Sequence, residues 1–128
     1  MDKKRILLVD DEPGFAKVLK VYLEHHGTYE VRAETDGTHC LAIAREFRPN
    51  LILLDLIMPH IDGSTLASEF GTDEYLKEIP IVFLTAAVAD EEVDSLEGMF
   101  CGHPLISKSR PLNELVEWIG QHLKGLPG

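Results

Sequence analysis

The chain has 128 residues, 45% hydrophobic and 27% charged, which is enough to bury the core of one soluble domain without disulfides or structural metals. Its 22 acidic and 12 basic residues give a formal net charge of −10, and such a surface repels phosphate backbones and anionic lipids. This argues against direct binding of nucleic acid or of membranes. The two cysteines form no CxxC pair, and no apolar run is long enough for a membrane span, so we expect a cytoplasmic protein with reduced thiols.

Five segments have the composition of β-strands. Three short runs are continuously apolar, which predicts central strands of a parallel sheet that are buried on both faces. Two weaker runs, one alternating and one short and preceded by proline, predict edge strands. In chain order the predicted strands are residues 6–9, 29–33, 51–54, 81–84 and 105–107.

Segments with helical periodicity separate these strands. The apolar faces predict five helices. The first three run from Phe15 to the region of Gly27, from Leu41 to Phe47 and from Ser64 to about Glu69. The fourth covers Val93, Leu96 and Phe100 with Asp90 as N-cap, and the fifth runs from Leu112 to Leu123 after Pro111. Strand–helix alternation predicts an α/β fold with a doubly wound five-stranded parallel sheet in the flavodoxin-like order 2-1-3-4-5, an α/β/α sandwich. The predicted domain spans residues 1–124, and residues 125–128 are expected to be a tail or the start of a linker.

Polar side chains stand at the predicted carboxyl ends of the strands. Asp10 and Asp11 follow the first strand, Asp55 the third, Thr85 the fourth, and Lys108 the fifth. In an open α/β sheet, ligands bind at this edge where the strand order reverses, so these groups are expected to converge on one crevice. The competing interpretation is that each Asp caps the following helix. It explains Asp55 poorly, because a proline and a glycine delay the next helix.

The predicted carboxylate cluster needs neutralising charge. Two carboxylates a few ångströms apart repel by a few kcal/mol at an effective dielectric constant of about 20. Lys108 supplies one positive charge, and a hard divalent cation is the natural second; oxygen ligands favour Mg²⁺ over zinc. Such a site leaves Asp55 able to act as a covalent phosphoryl acceptor, with Lys108 stabilising charge and Thr85 bonding a phosphoryl oxygen.

Several motifs together resemble the receiver domain of two-component response regulators. They are LVDDEP at residues 8–13, LDLIMP at 54–59, DG at 62–63, LTA at 84–86, and Lys108. The resemblance implies that a sensor histidine kinase or phosphotransfer protein phosphorylates Asp55, and that the chain switches its binding to an unidentified downstream effector or output domain. It also implies Mg²⁺ binding by Asp10, Asp11, Asp55 and the Ile57 backbone carbonyl. The domain would catalyse only its own phosphorylation and dephosphorylation.

Four positions depart from the family pattern. Ser109 replaces the proline that usually follows the lysine in a cis peptide, so a trans loop with a different placement of Lys108 is one expectation. Leu105 replaces a common aromatic residue and is interpreted as a buried strand residue without a switching role. Ile57 and Ala87 cannot orient an attacking water, which predicts a long-lived phosphoryl group. Glu12 is interpreted as a helix-start charge, with an outer-shell role near the metal as the alternative.

Two alternatives remain open at this point. The first is a binding module of the same fold that works without phosphorylation; the acidic residues, Thr85 and Lys108 argue against it. The second is a hydrolase, which usually needs a second acid two residues after the nucleophile, where Ile57 stands. A homodimer through the last helices is compatible with the sequence, which does not identify any partner.

Overall fold

The central sheet has six strands in the order β2-β1-β3-β4-β6-β5. The computed structural model describes residues 3–86 and 98–126. The strands are β1 (Lys4–Val9), β2 (Tyr29–Glu34), β3 (Leu51–Asp55), β4 (Ile81–Thr85), β5 (Met99–Phe100) and β6 (His103–Ser107). All neighbouring strands are parallel except β5, which is antiparallel to β6.

Four helices of the described residues surround this sheet. They are α1 (Pro13–His26), α2 (Cys40–Phe47), α3 (Gly63–Thr72) and α4 (Leu112–Lys124), with one 3₁₀ turn at Gly37–His39. Helix α1 ends where the N–H of Gly27 donates to the Leu23 carbonyl at 3.3 Å, and α2 ends at Arg48, whose φ of 55° breaks the helix before Pro49. Both ends lie where the sequence predicts them.

The predicted flavodoxin-like architecture is confirmed, and two details are wrong. The strand over residues 105–107 is not at the edge of the sheet, because β5 pairs with its outer side. Phe100 lies in β5 rather than in the predicted fourth helix. The chain folds back through Cys101 and Gly102, with φ values of 52° and 80°, and this turn makes a hairpin. The other residues of that helix prediction, Asp90, Val93 and Leu96, lie outside the described residues.

The sheet separates two hydrophobic clusters, so the fold has three layers. Side chains of β1 alternate between them: Ile6 and Leu8 pack towards α1 and α4, whereas Leu7 and Val9 pack towards α2 and α3. Because both faces are covered, β3 and β4 are buried along their whole length and β1 is buried from Ile6 to Val9, as the continuous hydrophobicity of these segments predicts. This burial fixes the strand ends, and with them the polar residues that follow.

The two cysteines lie in opposite environments. Cys40 at the start of α2 is fully buried, and burial raises the pKa of its thiol to about 12. Cys101 is exposed at the turn between β5 and β6. Both are free thiols. Among the described residues, no helix has the length and apolarity needed to cross a membrane.

Candidate functional site

The polar strand ends predicted from the sequence meet at one edge of the sheet. Asp10 follows β1, while Asp55 and Thr85 are the last residues of β3 and β4. All three are buried, with 0% of Asp10 and 3% of Asp55 exposed. The parallel register aligns Val9 with Leu54 and Asp55 with Leu84. The polar residues at the strand ends therefore lie at nearly the same height along the sheet.

Three carboxylates form a cluster at this edge. One oxygen from each of Asp10, Asp11 and Asp55 lies within 4.8 Å of the other two. Asp10 Oδ1 accepts the Glu12 N–H at 2.9 Å, and Asp55 Oδ1 accepts the Ile57 N–H at 3.3 Å. These local hydrogen bonds orient the carboxylates within the loops that follow β1 and β3.

The helix-capping interpretation fails for these aspartates. The N-cap position of α1 is Glu12, and no side chain caps that helix end. Helix α3 is capped instead by Asp62, whose side chain accepts the Ser64 N–H at 2.9 Å. Asp10 and Asp55 are therefore held at the sheet edge without serving either helix.

Lys108 connects the carboxylates. Its ammonium nitrogen lies 2.7 Å from Asp10 Oδ2, 2.7 Å from Glu12 Oε1 and 3.2 Å from Asp55 Oδ2, and only 6% of its side chain is exposed. The Phe15 ring lies 4.9 Å from the same nitrogen and adds a cation–π contact. The sequence does not predict the contacts of Glu12 and Phe15 with Lys108. Both residues lie at the start of the helix that follows Asp10, and this closeness to Asp10 is the signal available in the sequence.

The charges of the cluster perturb one another. Burial raises the pKa of Asp10. Burial, a hydrogen bond with Asp11 and the charge of Asp10 raise the pKa of Asp55 to about 7, against the opposing effect of Lys108. Burial lowers the pKa of Lys108, but its contacts with Asp10 and Glu12 outweigh burial and raise it, so the side chain stays an ammonium. Lys108 therefore supplies one positive charge beside four carboxyl groups, those of Asp10, Asp11, Glu12 and Asp55.

The donor set fits a hard divalent cation. Asp10 Oδ2 is fully buried and pairs with the Lys108 ammonium at 2.7 Å. Lys108 also contacts Glu12 and Asp55, so one ammonium leaves the cluster with excess negative charge, which a divalent cation would neutralise. The three clustered aspartates offer only oxygen atoms, as Mg²⁺ prefers.

The cluster opens into a cleft of about 320 Å³. Seven residues line it: Asp11, Glu12, Asp55, Ile57, Thr85, Ala86 and Lys108. Every residue predicted for the site is thus in the cluster or along the cleft. Ile57 is at the rim with 61% of its surface exposed. The role predicted for its backbone carbonyl stays a prediction.

The departures from the family pattern have different outcomes. Leu105 is a buried residue of β6 with 3% exposure, which confirms its interpretation as a core residue. No cis peptide bond occurs in residues 3–86 and 98–126, so Lys108 and Ser109 are joined in trans. Lys108 nevertheless reaches Asp55, and its N–H donates to the Thr85 carbonyl at 2.8 Å. Ala87 lies outside the described residues.

Comparisons with known proteins agree with this geometry. The family profile of the response regulator receiver domain matches residues 6–119. The chain is 36% identical over 123 residues to the DNA-binding response regulator MtrA of Mycobacterium tuberculosis, covering 95% of this chain and 51% of that protein. It is 39% identical over 82 residues to the DNA-binding dual master transcriptional regulator RpaA of Synechocystis, covering 64% of this chain and 34% of that protein.

A solved structure shares the whole fold. The BeF3-activated N-terminal receiver domain of Klebsiella pneumoniae RstA superposes with a TM-score of 0.76 and 29% identity, covering 94% of this chain and 99% of that one. The chain therefore matches receiver domains along nearly their full length, whereas it spans a third to a half of the two regulators.

Proposed function

The chain belongs to the response regulator receiver domain family, and from that premise we propose that Asp55 accepts a phosphoryl group from a phosphohistidine of a sensor histidine kinase or phosphotransfer protein. The observation that carries the proposal is the position of Asp55 at the centre of the cluster. Its side chain contacts Lys108 at 3.2 Å, lies within 4.8 Å of two further carboxylates and lines an open cleft.

The proposed transfer is a displacement at phosphorus. A carboxylate oxygen of Asp55 forms the new P–O bond as the P–N bond of the phosphohistidine breaks, and the leaving imidazole takes a proton from solvent. Lys108, which already lies beside Asp55, stabilises negative charge on the phosphoryl oxygens. The buried Thr85 hydroxyl donates a hydrogen bond to one of these oxygens after transfer. The chain promotes only its own phosphorylation and dephosphorylation.

The proposed metal is Mg²⁺, held by Asp10, Asp11, Asp55 and the backbone carbonyl of Ile57. Bound Mg²⁺ supplies positive charge that neutralises the carboxylates and the phosphoryl group. This assignment is supported by the three clustered carboxylate oxygens and by their negative charge, which Lys108 alone does not balance.

Phosphorylation is proposed to change which partner the chain binds. A phosphoryl group adds negative charge and strong acceptors beside Lys108 and Thr85, and new hydrogen bonds there can favour a second conformation of the surrounding loops. The relatives are named as DNA-binding regulators. A net charge of −10 opposes DNA binding by this chain itself, so we assign the output to a separate effector or domain. Residues 1–124 form the receiver unit in this proposal, residues 125–128 are a tail or the start of a linker, and the protein acts in the cytoplasm.

The experiment measures covalent modification directly. The chain is incubated with acetyl phosphate and Mg²⁺, and its intact mass is recorded with time. We expect addition of one phosphoryl group in the wild type, none in Asp55→Asn, and strong slowing when EDTA removes the metal. Asp62→Asn serves as a matched control, because Asp62 caps α3 outside the cluster. An adduct that survives Asp55→Asn, or no adduct on the wild type, would contradict the proposal.

A further inference from the structure

Lys108 lies between two serines whose side chains are bonded to each other. The Oγ atoms of Ser107 and Ser109 are 2.7 Å apart, and Ser107 Oγ also accepts the Ser109 N–H at 3.1 Å. Ser107 is the fully buried last residue of β6, whereas Ser109 is exposed. The hydrogen bond between the two hydroxyls therefore spans Lys108, the residue that contacts the acidic cluster.

The hydrogen bonds between the two serines stabilise a turn whose backbone hydrogen bond is long. The Arg110 N–H reaches the Ser107 carbonyl at 3.4 Å, which places Lys108 and Ser109 at the central positions of a four-residue turn. At that length the backbone bond contributes little. Serine at the first position stabilises such turns when its hydroxyl accepts the N–H two residues later, as Ser107 does. The hydroxyl of Ser109 makes a second hydrogen bond with the same atom, Ser107 Oγ.

The position of this turn determines where the Lys108 ammonium lies. The side chain has four rotatable carbon–carbon bonds, yet its nitrogen contacts Asp10, Glu12 and Asp55 simultaneously. Holding a flexible side chain in three contacts costs conformational entropy, and an anchored main chain lowers that cost. On one side, the Lys108 N–H bonds to the Thr85 carbonyl at 2.8 Å. On the other side, the serine pair supplies the anchor.

We propose that Ser107 and Ser109 are positioning residues that fix the Lys108 turn and so keep the Lys108 ammonium on Asp55. The consequence for phosphorylation rests on the proposed function; the consequence for Lys108 does not. Transfer is sensitive to this placement, since a displacement of about 1 Å at a group that stabilises charge can cost up to about a hundredfold in rate.

The test follows Lys108 itself and the rate of phosphorylation in the same variants. Ser109→Ala removes one hydroxyl from an exposed position and leaves no cavity, and Ser109→Thr restores it. Ser68→Ala is the matched control, because Ser68 is exposed on α3 away from the turn. The side-chain ammonium resonance of Lys108 is observed by ¹H–¹⁵N NMR of lysine NH₃⁺ groups and assigned with Lys108→Arg.

We expect the wild type to give a slowly exchanging Lys108 ammonium signal, because the group is buried among carboxylates. Ser109→Ala should shift this signal, quicken its proton exchange and slow modification by acetyl phosphate about tenfold. Ser109→Thr should restore both properties, and Ser68→Ala should leave both unchanged.

An unchanged Lys108 signal in Ser109→Ala would overturn the inference, whether or not modification slows. A changed signal that Ser109→Thr fails to restore would overturn it as well. If the wild type accepts no phosphoryl group, the proposed function fails while the NMR comparison still decides the role of the serines. The two failures are therefore distinguishable.

Discussion

Ile57 places a large apolar side chain at the mouth of the acidic cleft. It is 61% exposed, and its N–H donates to Asp55 Oδ1 at 3.3 Å. Its side chain therefore stands beside the proposed acceptor, where it offers no hydrogen bond to an incoming water. Hydrolysis of an aspartyl phosphate requires a water aligned with phosphorus, so an apolar residue here favours a long-lived phosphoryl group.

We predict that Ile57→Asn shortens the lifetime of the phosphoryl group by roughly threefold to tenfold, the effect of about one net hydrogen bond. The measurement is loss of the adduct from intact mass spectra after the donor is removed, with Mg²⁺ present. Ile57→Leu is the control that keeps an apolar side chain. Equal lifetimes in all three proteins would show that the residue does not control water.

At the residue scale, the sequence identifies the polar groups of the site because buried strands define their own ends. Asp10, Asp55 and Thr85 each follow a continuous apolar run, so their convergence requires only the strand order. The contacts of Glu12 and Phe15 with Lys108 could not be predicted in the same way. They depend on the angle at which α1 leaves β1, and local sequence does not encode that angle.

Helix α3 contains two glycines in contrasting surroundings. A Cβ on Gly63, at its first turn, would lie 2.7 Å from Leu56 Cα and closer still to the Asp55 carbonyl oxygen. A Cβ on Gly71, near its other end, would have no atom within 4 Å. The first glycine lets the helix start against the end of β3, next to the acceptor, while the second has no such role.

We predict opposite effects of alanine at these two positions. Gly63→Ala should lower the free energy of unfolding by about 1–3 kcal/mol, because backbone atoms must move. Gly71→Ala should raise it by about 0.5–1 kcal/mol, because alanine favours the helix. Urea unfolding followed by circular dichroism measures both. Loss of stability in Gly71→Ala, or none in Gly63→Ala, would contradict the packing described for α3.

An ion pair connects α2 to the segment after α3. Arg45 donates from two guanidinium nitrogens to Asp73, which also accepts the Tyr75 N–H at 2.9 Å. The hydrogen bond from Arg45 lowers the pKa of Asp73 below its ordinary value of about 3.9. Because the folded-state pKa is the lower one, this pair stabilises the fold fully above about pH 4, and the stabilisation is lost as pH falls through the folded pKa.

We predict that Asp73→Asn is less stable than the wild type at pH 7, and that the difference shrinks as the pH falls below about 4. Chemical unfolding at a series of pH values measures the difference. Glu74→Gln, at an exposed neighbouring position, should show no comparable trend. A difference that stays constant down to pH 2 would mean that Asp73 acts through packing instead of charge.

The hairpin of β5 and β6 shows where prediction at the element scale fails. Val93, Leu96 and Phe100 have helical spacing, yet Phe100 pairs with His103 across the hairpin and packs its ring edge-on against Phe83, with centroids 5.9 Å apart. Tertiary contact outweighs local periodicity here. Gly102 is the sequence signal for the turn between β5 and β6, and Gly98, directly before β5, also has a positive φ.

At the scale of the whole molecule, the residues of the candidate site and the residues of the hydrophobic core occupy different parts of the sheet. The acidic cluster lies at the carboxyl ends of the strands, while the hydrophobic clusters extend along both faces beneath it. The strand order over β2-β1-β3-β4 is predictable because parallel strands need helical crossovers of fixed hand. The antiparallel β5 follows no crossover rule, and the helical spacing of Val93, Leu96 and Phe100 predicts a helix in its place.

We predict that the isolated chain shows no affinity for duplex DNA even at low salt, where electrostatic binding is strongest. A net charge of −10 repels the phosphates and opposes the electrostatic, counterion-releasing mode of binding. Fluorescence anisotropy of labelled DNA measures this, with the chain before and after treatment with acetyl phosphate. Binding that weakens steeply as salt is added would contradict the assignment of the output to a separate partner.

The contrast between the two cysteines has a practical consequence. Alkylating reagents attack the thiolate, so Cys40, buried with a pKa of about 12, should remain unmodified under conditions in which the exposed Cys101 reacts. One maleimide dye can then be attached to the natural sequence at the turn that leads into β6. The fluorophore would lie at the turn before β6, at the edge of the sheet opposite the acidic cleft, so one dye would mark the chain without any mutation and without touching the cluster.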